Sequence, residues 1–189
     1  MPREHPLGFD SIANLPDDGA REKEVFARFG LALYAAQVLE QGFMNLIIVG
    51  SFGSDIRTDA DFDEVDGVLG TRTAGQLLRR LRAKEMLTEE EERLAAKAVD
   101  ERNRLAHHFF AQHSGDFMTP EGKQIMLDDA DTAGELFRRA DALIEAATFR
   151  IGAPHGVTEE RVSEVARSRL EALQAGQAFG PTAETTSST

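Results

Sequence analysis

Apolar residues return at three- and four-residue steps along most of the chain, and that period sets its class. Phe26, Phe29, Leu33, Ala36, Leu39, Phe43 and Leu46 follow one another in this way behind Asp17 and Asp18, a pair able to cap a helix. The spacing predicts a long amphipathic helix over 18–48, with Leu46–Val49 open to a second reading as a short strand. Residues 50–72 lose the period. Six acids and four glycines make this segment a loop with one helical turn around Phe62–Leu69. The stretch TAGQLLRRLRAKEM restores it and predicts a helix over 73–86. Thr88 and Glu91 form a capping box with acids in the first turn, which opens a helix to about residue 111. Thr119 followed by Pro120 is a further start signal. The helix behind it carries Ile125, Met126, Leu136, Phe137, Leu143 and Ile144 and ends near Gly152. Thr158 caps a last helix, closed by Gly176.

These elements predict an all-α protein, an up-down helical bundle of four to five helices over 17–152. An irregular, proline-rich lead covers 1–16. A C-terminal helix covers 153–178 as an extension, and the polar tail 179–189 is expected to be disordered. Zero cysteines exclude disulfides and thiolate metal sites. With no uninterrupted run of about 18 apolar residues and no signal-like N-terminus, a cytoplasmic protein off the membrane is expected. The net charge of −12 disfavours broad, unspecific nucleic-acid binding, and with no tryptophan and a single tyrosine, Tyr34, there is little to stack bases on. The charge is uneven. Residues 1–66 hold 13 acids against 5 bases, whereas residues 76–106 hold 7 acids against 8 bases. Anion chemistry therefore belongs to the middle of the chain.

That middle contains ERNRLAHHFF, residues 101–110. On a wheel of about 100° per residue, Arg102 falls among Ala95, Ala98, Leu105, Ala106 and Phe109, where a bundle would place leucine. A guanidinium there requires a partner or an open pocket, because burying it unpaired costs several kcal/mol. Core acids such as Glu24 or Glu40 could supply the partner, in which case the histidines merely pack. Asn103 and His107 share one flank, four residues apart. His108 points about 100° away from His107, so the two cannot serve one small site on one chain.

The run RNRLAH, residues 102–107, resembles the R-x4–6-H motif of the HEPN superfamily. Arg102, Asn103 and His107 match it residue by residue, with four residues between Arg and His. His108 satisfies the looser spacing. His107 is preferred because in such motifs a small residue, here Ala106, commonly precedes the histidine. The resemblance covers roughly residues 20–150. It implies a metal-independent endoribonuclease that works as a homodimer, two copies of the motif facing each other across a composite RNA site. It further implies a toxin or defence role, with a cognate antitoxin such as a small nucleotidyltransferase as a possible partner. Some HEPN domains are catalytically silent binding or dimerisation modules, and that reading stands as the alternative. The residue types suit the chemistry. An imidazole can move the 2′-OH or leaving-group proton near neutral pH, and a guanidinium can hold phosphate.

A third reading comes from residues 46–64. Gly50-Ser51 and, further on, Asp61-Phe62-Asp63 resemble the GS…DxD signature of minimal nucleotidyltransferases. There the turn grips triphosphate and the acids hold Mg²⁺. A solvated acidic loop explains the same residues. His113 and His155 stand isolated and are expected at the surface. Without cysteine or HExxH, no metal or cofactor is expected.

Overall fold

The computed structural model describes residues 12–52, 55–56 and 58–175. Within them lie six α-helices: α1 (Asp18–Val49), α2 (Asp59–Leu69), α3 (Ala74–Ala83), α4 (Glu89–Gln112), α5 (Pro120–Gly152) and α6 (Glu159–Gln174). The helices begin at the residues that the sequence marks as caps. The side chains of Asp17, Thr88, Thr119 and Thr158 each accept a backbone N–H of the helix that follows. Glu91 returns the bond to Thr88, completing the box. The expected Gly176 stop and the tail at 179–189 lie outside the described residues, as does the lead up to residue 11.

Two expectations change. Leu46–Val49 is the end of α1, and no strand forms among the described residues beyond an isolated bridge between Phe52 and Ile56. The acidic segment is also more ordered than a loop. Thr58 and Asp61 make their own capping box, and α2 runs for 11 residues behind it.

Cross-helix pairs set the directions. Arg28 reaches Asp131, and the side chain of Lys123 reaches Asp18, so α1 and α5 run parallel. Glu91 meets Arg150 and Arg104 meets Asp129, so α4 runs against α5. Arg82 meets Glu92 and Gly75 faces Val99, so α3 runs against α4 as well, and the α1–α5 contact closes the bundle. The seam between those two helices is built from small residues, including Ala32, Ala35, Ala36, Ala130, Ala133 and Gly134, which let the backbones approach. Gly152 at the end of α5 is needed for the same reason. A Cβ there would sit 2.7 Å from Val157 and 2.8 Å from Val49. Phe43, Leu46, Ile47, Phe137 and Ile144 fill the core around the seam. Ile12 and Leu15, before α1, are buried against it too, and the Ile12 amide donates to Gln124 at 2.8 Å. α6 buries no residue.

An 18-residue window of α1 reaches a mean hydropathy of 1.3, enough to cross a membrane by length and composition. Half of that window is buried inside the bundle, as a core helix requires.

Candidate functional site

α4 carries the motif, and its buried stripe explains where each motif residue points. Glu91, Ala95, Ala98 and Val99 cover the first half of the stripe, and Leu105 and Phe109 the second. The buried arc narrows along the helix: with Arg102 at 0° on the wheel it spans about 320–60° in the first half but about 300–340° in the second, where Ala106 at about 40° is exposed. Arg102 lies at the edge of the narrowed arc. Its side chain is 31% exposed rather than buried in the stripe. The Nε donates to Glu40 Oε1 of α1 at 2.6 Å, and Nη1 reaches Asn103 Oδ1 at 3.5 Å. Glu40 is thus the acid that answers Arg102. Glu24, the other candidate, is committed to Arg28 at 2.7 Å.

Asn103, Ala106, His107 and Phe110 are all exposed and span about 100° of the helix surface. They adjoin a face of α1 on which Phe26 is 53% exposed. Phe26 and Phe29 stack with Phe110 at 5.5 and 4.9 Å between ring centroids. A side chain at Gly30 would meet nothing within 4 Å, so this face is open. The structure therefore groups Arg102, Asn103 and His107 at the edge of an apolar surface patch. His108 is exposed on the other flank, its ring 6.3 Å from that of His107. Neither histidine makes a hydrogen bond or ion pair among the described residues, and neither touches Arg102. The single chain supplies the motif groups without assembling them.

His113 is not the isolated surface residue expected. Its side chain is 12% exposed, with Nδ1 at 2.8 Å from Asp116 and Nε2 at 2.8 Å from Asp129. Asp129 also accepts two bonds from Arg104, at 2.9 and 3.0 Å, and Arg104 is gripped by Glu101 at 2.6 Å. Burial on its own pushes the imidazole pKa down. The hydrogen bonds and charges of Asp129 and Asp116 outweigh that and raise it above 6.5. Asp116 lies three residues along the chain, but Asp129 arrives from α5, so the local spacing around His113 shows only half of the cluster. His155 is exposed, as expected, with its ring edge-on to Phe52 at 5.9 Å.

The nucleotidyltransferase pattern does not assemble. Ser51 is fully buried and donates to the Ile47 carbonyl at 2.8 Å. Asp61 is occupied in the α2 cap, where it accepts from the Thr58 amide at 2.9 Å. A helix stands where the signature needs strands. Among the described residues no group of three or more His, Asp or Glu side chains could hold a metal ion.

No known protein family, curated protein or solved structure matches the chain.

Proposed function

We propose that the protein is a HEPN-like, metal-independent endoribonuclease of the cytoplasm, acting as a homodimer through Arg102, Asn103 and His107, with a role as a toxin or defence effector. The observation that carries this reading is the exposure of the motif beside an uncovered apolar patch. Core chemistry would have buried these side chains. Here Asn103 and His107 face outward with Phe26 and Phe110 around them. A two-fold contact over that patch would bring a second Arg102 and His107 opposite the first.

Glu40 fits as a positioning residue. It accepts the hydrogen bond of the Arg102 Nε–H and leaves the terminal guanidinium nitrogens on the side of Asn103. These would hold the scissile phosphate and the charge growing on it. His107 would take the 2′-OH proton or return one to the leaving oxygen. Attack by the 2′ oxygen on phosphorus breaks the bond to the 5′ oxygen and leaves a 2′,3′-cyclic phosphate. The test is RNA incubated with the protein in chelator, with the product ends identified. Cyclic ends from wild type and from His108→Ala, and none from His107→Ala, support the reading. Cutting lost in His108→Ala instead would move the histidine role to the longer spacing.

The same Glu40 contact favours one alternative, a catalytically silent binding dimer. At 2.6 Å Glu40 neutralises Arg102, and a phosphate must compete with it. Wild-type protein that dimerises and binds RNA without cutting it would favour that alternative.

A further inference from the structure

We infer that the groove between α4 and α5, flanked by Arg93, Lys97 and Arg139, binds a single RNA strand outside the cutting site. The inference rests on the RNA reading above and adds a place where the strand is held. The groove has a volume of about 440 Å³, with Leu94 of α4 and Ala142 and Leu143 of α5 among its lining. Glu90 is the one acid in that lining.

The groove sets these three cations against a single acid. Nearby basic side chains are spent on acids: Arg82 on Glu92, Arg102 on Glu40, Arg104 on Glu101 and Asp129, and Arg150 on Glu91. Arg93, Lys97 and Arg139 are exposed and make no ion pair or hydrogen bond among the described residues. In a chain of net charge −12, a lining of three cations and one acid is a locally basic spot that favours an anion.

The residue types narrow the anion. Lys97 offers a point charge to a phosphate oxygen. Arg93 and Arg139 can grip phosphate with two parallel bonds or lie flat on a base. The leucine floor receives the face of a base or a ribose, which requires bases freed from pairing and hence a single strand. The lining carries no Asn, Gln, Ser or Thr to read base edges, so binding should tolerate many sequences.

The experiment measures fluorescence anisotropy of a labelled 12-nucleotide 2′-O-methyl RNA, which cannot be cut, over a range of salt. Wild type is compared with Arg93→Gln/Lys97→Gln/Arg139→Gln and with His107→Ala. All three groove side chains are exposed, so the triple variant should keep the wild-type melting temperature, which is measured alongside. The expected result is affinity at least tenfold weaker in the triple variant, with a log–log salt slope shallower by about 2. His107→Ala should bind like wild type. Equal affinity in wild type and triple variant overturns the groove, as does a wild type that binds no oligonucleotide. A leucine–glutamate helical peptide, labelled in parallel, covers the other class of partner. Groove-dependent binding of that peptide with groove-independent RNA binding also overturns the proposal. Cleavage of ordinary RNA is read in the same samples. Groove-dependent binding without cutting ends the nuclease reading and leaves the groove. Cutting and binding unchanged in the triple variant do the reverse.

Discussion

Arg28 and Arg102 are both arginines set into a helix face, with opposite fates. Arg28 is 2% exposed and clamped by Glu24 at 2.7 Å and Asp131 at 2.9 Å. Removing one partner of a buried pair strands the others. Arg28→Ala should therefore destabilise the fold by about 3–5 kcal/mol in denaturant melts. Arg102 is only partly covered, and Arg102→Ala should cost far less stability while weakening RNA binding. His113 gives a pH signature. Its folded pKa is raised, so its contribution is complete below the unfolded value and is lost as pH rises through the folded one. Melting temperature should fall from pH 6 towards alkaline pH more steeply in wild type than in His113→Gln. Parallel profiles would show that the bridge between Asp116 and Asp129 carries no linked stability. The wheel read from the sequence put Arg102 in the middle of an apolar face and named Glu40 as one possible partner, in the reading where the histidines merely pack; the structure shows that pair, with the arginine partly exposed. The wheel could not see that the buried arc narrows beyond Arg102, with Ala106 exposed, and leaves the arginine half open. The His113 cluster was only half legible because its partner Asp129 lies on another helix.

Helix ends were the most legible feature, because caps are local chemistry. Thr88, Thr119 and Thr158 each open the helix expected of them. α2 was under-read for a compositional reason. Its acids and Gly67 look like a loop, and its one buried residue is Leu69. The signal present was the pair Thr58 and Asp61, a box closed by a short acid instead of the more usual Glu or Gln. α6 is the converse case, a well-capped helix that contributes nothing to the core. Ending the chain after Thr158 should leave the melting temperature of the bundle within about 2 °C of the full chain by calorimetry, since α6 buries no side chain. A larger drop would mean that α6 packs somewhere in solution, on its own bundle or on a second copy.

At the scale of the whole molecule, the fold keeps most of its acids at the surface, burying Glu24 and Glu91, and leaves two places that an RNA-cutting dimer would use. One is the apolar patch around Phe26 and Phe110. The other is the basic groove on the opposite flank of α4. Phe26→Ser/Phe110→Ser should shift a dimer to monomer in sedimentation, raising its dissociation constant by more than tenfold, because exposed aromatics at an interface centre carry much of its energy. If both places serve one activity, cutting should depend on dimer concentration as well as on the motif. The most direct measurement of the central claim is the rate of RNA cleavage in EDTA by wild type and by His107→Ala, both above the dimer dissociation constant. Loss of an acid–base group should slow cutting by about 10²–10⁴-fold with the fold and dimer intact. Equal rates, or no cutting by wild type above the His107→Ala background, would contradict it.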